Sequence, residues 1–120
     1  MMLIGKQTPL NDTLREVLST FVPGAQQVSP EEFILNGHVL ANNKQVVFIN
    51  LTDLTDQENT ILNEIKRTPH SPKLVAIHTF MVPAMIDEIL QKGYDAYLSF
   101  FEFSEKIEDL LESLGISILK

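Results

Sequence analysis

Two rhythms of apolar and polar residues alternate along this chain: short unbroken apolar runs, and longer stretches in which apolar residues recur every three or four positions. The clearest run is Val46, Val47, Phe48 and Ile49, within 45–53, and it ends on the more polar Asn50, Leu51, Thr52 and Asp53. Four successive apolar residues without alternation predict a central strand of a parallel sheet, covered by helices on both faces. Leu74 to Ile77, inside the stretch from Lys73 to Thr79, repeats that signature. Met2 to Gly5 predicts a first strand, Ala25 to Val28 a short second one, and Tyr94 to Ser99 a fifth.

Helical stripes fill the intervals. Thr8 can cap a helix over 9–21 with Pro9 at its first position, and Leu10, Leu14, Val17, Leu18 and Phe21 recur at helical spacing until Pro23-Gly24. Ser29-Pro30-Glu31-Glu32 joins a capping box to an early Pro and predicts a second helix, weakened by Asn36 and Gly37 and lacking a clean apolar stripe. Thr55-Asp56-Gln57-Glu58 is another capping box, with Leu54, Ile61, Leu62 and Ile65 as the apolar face of a third helix ending near Arg67. Val82, Met85, Ile86 and Ile89, widened by Leu90, predict a fourth helix over 82–92 that stops at Gly93. A fifth begins near Ser104, buries Ile107, Leu110, Leu111 and Leu114, and ends at Gly115, with 116–120 as a tail. Five strand–helix repeats joined by right-handed crossovers predict an α/β fold: a doubly wound parallel sheet in the order 2-1-3-4-5, in a single domain over 1–120.

Composition narrows the chemistry. The 120 residues are 44% hydrophobic and 21% charged, as in an ordinary globular domain, and the formal charge of −7 comes without any basic stripe. Direct nucleic-acid binding is therefore not expected, because phosphate contacts need clustered Lys and Arg. With neither a long apolar span nor a secretory signal, the expectation is a cytoplasmic protein that does not enter a membrane. The absence of Cys removes disulfides, thiolate metal sites and thiol nucleophiles. No Gly-x-Gly-x-x-Gly follows the first strand, no Ser has a base at nucleophile spacing, and His38, His70 and His78 lie in separate segments. Neither an enzyme nor a cofactor nor a metal site is expected.

The stretch from about 45 to 114 resembles the receiver domain of two-component response regulators. The resemblance rests on Gly93-Tyr-Asp-Ala-Tyr-Leu-Ser-Phe100, which is similar to the family's Gly-Ala-Asp-x-Tyr-Leu-x-Lys signature, and on the spacing of His78 before Gly93. It implies a CheY-like, flavodoxin-like three-layer sandwich and places Tyr97 on the switch aromatic. It also locates a phosphorylation pocket, and this sequence departs from the family at each position of it. Lys6 and Gln7 stand where an acidic pair should hold magnesium, Asn50 where an aspartate accepts the phosphoryl group, His78 at the hydroxyl position and Phe100 at the lysine position. Phe101 takes the place of the following proline. Asn50 lacks the nucleophilic carboxylate, and Lys6 puts a positive charge where a magnesium ion would sit. The resemblance thus implies a degenerate pseudo-receiver that signals without phosphorylation or magnesium.

Two bland readings belong beside this. Asp53, three residues past Asn50, reads as a loop residue before the third helix and not as a displaced acceptor; His78 reads as a hydrogen-bonded structural histidine. Phe100 is expected to fill the space of the missing lysine and phosphate. Phe101 and Phe103 flank Glu102 and are expected to be partly exposed, while Met81, Met85, Ile86 and Leu90 supply more apolar surface than one buried stripe needs. Together with Tyr97 they mark the face of the fourth helix, fifth strand and fifth helix, which the family uses for docking. The function expected is a protein-interaction or dimerisation module of bacterial signalling or transcription control. The alternative is a flavodoxin-like sensor of a small ligand or anion near Lys6, Asn50 and His78.

Overall fold

The apolar run 46–49 becomes the middle strand of the molecule. In the computed structural model, which describes residues 1–40, 44–54, 56–68, 72–79, 82–116 and 118, with backbone alone for 38–40, Val46–Asn50 forms β3 and every residue of it is buried. It is flanked by β1 (Met2–Ile4) and β4 (Lys73–His78), with β2 (Gln26–Val28) and β5 (Ala96–Ser99) at the edges. All pairs are parallel, in the order β2-β1-β3-β4-β5. Phe48 lies beside Leu3 and Val75, and Asn50 beside Ile77.

Successive residues of a strand point to opposite faces, so the unbroken apolar runs supply two cores at once. Leu3, Val46, Phe48, Val75 and Ile77 pack with α1 (Pro9–Phe21) and α5 (Phe103–Ser113) through Leu14, Leu18, Ile107 and Leu111. Met2, Ile4, Val47, Ile49 and Ala76 face the other way, toward α2 (Pro30–Leu40), α3 (Glu58–Lys66) and α4 (Pro83–Gln91), through Phe33, Ile61, Ile65 and Ile89. The result is the three-layer sandwich expected from the pattern. No helix among the described residues is long and apolar enough to cross a membrane.

Local signals explain most boundaries, and their failures are informative. Thr8 caps α1 as expected, its Oγ1 accepting from the Asn11 backbone N–H at 3.2 Å, but the buried residues are Asn11, Leu14 and Leu18. Leu10 lies one position off that stripe and is exposed. Ser29 Oγ caps α2 by accepting from Glu32 N at 3.1 Å, and the helix kinks at Asn36, whose φ of −134° is not helical. Gly37 is required there by space: a Cβ would stand 2.7 Å from the Phe33 ring and 3.1 Å from Glu64 Cβ.

The third helix starts later than its sequence suggests. A single 3-10 turn, Leu51–Asp53, follows β3, Leu54 packs on the core ahead of the helix, and α3 opens only at Glu58; Thr55, the expected cap, lies outside the described residues. At the end of α4, Gly93 has φ +104°, a left-handed conformation that ends the helix at little steric cost only for glycine. Only Ile89 of α4 is buried; Val82 and Leu90 are exposed and Met85 and Ile86 half-buried. The fifth helix begins one residue early, at Phe103, and Ile116 beyond it joins the core on the α1 and α5 side.

Candidate functional site

Because the strands are parallel and in register, the carboxyl ends of β1, β3, β4 and β5 line up along one edge of the sheet, the place where this architecture gathers ligands. Lys6 and Gln7 leave β1 there and are exposed, Asn50 ends β3, His78 ends β4 half-buried, and Ser99 and Phe100 follow at the end of β5.

Asn50 is 1% exposed, and both ends of its amide are used inside the protein. Its Oδ1 accepts from the Thr52 N–H at 3.1 Å, an Asx-type bond that starts the 3-10 turn. Its Nδ2 donates to Asn11 Oδ1 at 2.8 Å. Asn11, fully buried in the first turn of α1, donates in turn from Nδ2 to the Lys6 carbonyl at 2.7 Å and to Asp53 Oδ2 at 2.6 Å. Asp53 Oδ2 also accepts from the Lys6 N–H at 3.0 Å, and Gln27 Nε2 donates to the Lys6 carbonyl at 2.9 Å.

These bonds lock the β1–α1 turn, the end of β3 and the turn after it into one unit. Gly5 is part of its geometry, since a Cβ there would lie 2.6 Å from Asn11 Nδ2 and 3.0 Å from Asp53 Oδ2. Beside the unit, the Thr52 and Thr79 hydroxyls meet at 3.3 Å. The charge of Lys6 reaches Glu31, whose carboxyl is held below its ordinary range chiefly by its own backbone N–H, then by Gln57 Nε2 at 3.3 Å, with Lys6 contributing less.

Chemically, the unit is a self-satisfied polar plug. An amide at the end of β3 supplies no carboxylate to attack a phosphoryl group. A magnesium ion needs several oxygen ligands, and the Asp53 carboxylate is already engaged by two donors. Among the described residues, no group of three or more His, Cys, Asp or Glu is placed to hold a metal ion. Sequence reading linked Lys6 and Asn50 but missed the residue that joins them, Asn11. Its signal was present: 11, 14 and 18 share one helical stripe, so the first turn of α1 points an amide into the sheet.

The sequence-derived docking face divides. Tyr97 on the edge strand is 37% exposed, Leu90 is exposed and Phe101 reaches 71%. Met85 and Ile86 are half-buried, and Met81 lies outside the described residues. Phe103, expected at least partly at the surface, is a correction: it is 2% exposed. Because α5 starts at Phe103, its first turn directs that ring into the core, edge-on to Phe48 with centroids 6.3 Å apart. Phe100 is half-buried and packs on the same core cluster. A groove of about 470 Å³ runs between β5 and α5, floored by Ala96, Tyr97, Leu98 and Leu110 and edged by Glu102 and Asp109.

The order β2-β1-β3-β4-β5, with α1 and α5 on one face and three helices on the other, is the CheY-like variant of the flavodoxin fold. Solved structures with this arrangement include response regulators and their receiver domains. The chain superposes on the signal receiver domain of a DNA-binding response regulator (merR) from Colwellia psychrerythraea 34H with a TM-score of 0.67 at 19% identity, over 92% of this chain and 96% of that one. A CheY-like protein (tadZ) from Pseudomonas aeruginosa PAO1 gives 0.66 at 20% identity, over 99% and 95%. The manganese-bound form of response regulator Rcp1 gives 0.64 at 14% identity, over 99% and 98%. At such identities the likeness is one of fold. No family model and no curated protein sequence matches the chain.

Proposed function

We propose that this chain is a pseudo-receiver: a receiver-fold signalling module that binds a protein partner without being phosphorylated and without magnesium. The observation that carries this is the Asn50–Asn11–Asp53 plug, which puts an amide in place of a carboxylate nucleophile at the end of β3 and engages Asp53 Oδ2 with two internal donors. Burial weighs against a small-ligand site at Lys6, Asn50 and His78, since Asn50 is 1% exposed and both polar atoms of its amide already bond inside the protein.

The partner surface in this reading is the face of α4, β5 and α5, where Leu90, Tyr97 and Phe101 are exposed. The groove within it is edged by Glu102, Lys106 and Asp109. Lys106 is itself paired with Glu102 at 3.3 Å. With Lys106 answered by Glu102, Asp109 leaves the groove slightly acidic, so the partner in this reading is a protein that presents an apolar segment with a basic residue opposite Asp109.

The test is incubation of the chain with acetyl phosphate and magnesium, followed by intact mass measurement. The expected result is no added phosphoryl group, and none for Asn50→Asp either, because Lys6 and Gln7 still stand in place of magnesium ligands. An acyl phosphate on the unaltered chain would overturn the reading.

A further inference from the structure

A second concave site lies away from the polar plug, where α3 ends, β4 begins and the chain leaves α4. It encloses about 260 Å³. Its floor is apolar, made by Leu62, Ile65 and Leu74, all buried. Its rim brings together Lys66, Lys73 and Lys92, three of the nine basic residues of a chain whose formal charge is −7.

We propose that this pocket binds a small organic anion, a carboxylate or phosphate carried on a compact apolar body. Lys92 is balanced by Glu58 at 3.0 Å, but Lys66 and Lys73 have no carboxylate within ion-pairing distance among the described residues. The acidic group in the lining, Asp95, is committed to the backbone, its Oδ2 accepting from the Leu74 N–H at 2.8 Å. Set against Asp95 and Glu58, the three lysines still leave the lining with a net positive charge above an apolar floor, and among the described residues neither Lys66 nor Lys73 has an ion-pair partner.

Lys66 and Lys92 stand at the carboxyl ends of helices, where cations also serve the helix dipole. Lys73 opens a strand, so no helix end accounts for it. Ammonium groups at a rim are the usual point-charge contacts for phosphate and carboxylate, and their aliphatic stems extend the apolar wall. The volume falls just under the roughly 300–1,000 Å³ of drug-sized sites, which suits a metabolite-sized ligand. The site does not depend on the pseudo-receiver reading.

The experiment is a two-dimensional amide NMR titration of the full chain with benzoate, phenyl phosphate, benzyl alcohol and inorganic phosphate. Benzoate or phenyl phosphate is expected to shift the Lys73, Gly93 and Asp95 amides saturably, the tighter of the two naming the headgroup. Benzyl alcohol lacks the charge and inorganic phosphate the apolar body, so each should bind about tenfold more weakly. A Lys66→Gln, Lys73→Gln double variant, altered only at exposed positions, should keep its spectrum elsewhere and lose affinity about tenfold. No saturable shift at those amides with either aromatic anion, equal binding of benzyl alcohol, or undiminished binding by the double variant would overturn the proposal.

Discussion

Asn11 is where a single side chain decides most. Replacing it with Leu keeps its bulk but strips the buried Asn50 Nδ2 of its acceptor and removes one of the donors on Asp53. An orphaned buried donor costs about 1–3 kcal/mol, so Asn11→Leu should lower the unfolding free energy by that much, read as a lower urea midpoint with an unchanged slope. Gly37 offers a test of opposite sign to ordinary expectation. In an exposed helix Gly→Ala gains about 1 kcal/mol. Here the added methyl would meet the fully buried Phe33 ring at 2.7 Å, so Gly37→Ala should destabilise by about 1–3 kcal/mol, and a gain would refute the packing. Neither role is visible in residue type alone. Asn11 reads as a solvated polar residue until it is placed on the stripe of Leu14 and Leu18, and Gly37 reads as a helix breaker until α3 is brought against it.

Among the elements, α3 and α4 are joined by a side-chain clamp. Glu58, the first residue of α3, accepts from the Tyr94 hydroxyl at 2.9 Å and from Lys92 Nζ at 3.0 Å. Burial raises the Tyr94 phenol well above its ordinary range, and the neighbouring Glu58 carboxylate adds to the effect by charge and by accepting its proton. A raised folded value means that the native state holds the phenolic proton more tightly than the unfolded chain does. That stabilisation is complete below about pH 10, the unfolded value, and fades as pH climbs through and above it. Stability should thus decline on the alkaline side in the unaltered chain and decline less in Tyr94→Phe; parallel curves would remove the clamp from the explanation. Strands were easy to read at this scale, because runs such as Val46 to Ile49 are buried on both faces. Helix starts were harder. The capping box at 55–58 placed α3 ahead of its real beginning, since the 3-10 turn held by Asn50 depends on a contact with Asn11 far away in sequence. Phe103 was misjudged for a related reason: moving the start of α5 by one residue turns a rim aromatic into a core one.

For the molecule as a whole, the order of strands and the division of helices between two faces followed from alternation and crossover rules, which depend on no detail of the site. What does depend on detail is where charge accumulates. If a partner with a basic residue docks on the β5–α5 groove, complex formation should slow with added salt, and Asp109→Lys should lower the association rate several-fold. Surface plasmon resonance at two ionic strengths checks both, and a salt-independent rate would sink the electrostatic part. A further consequence comes from the strand order. β1 sits between β2 and β3, yet Val46–Asn50 is made only after Met2–Ile4 and the whole of α1, β2 and α2. During synthesis the amino-terminal part therefore waits with one flank of Met2–Ile4 uncovered, and the emergence of β3 from the ribosome is the event that lets the sheet close around it.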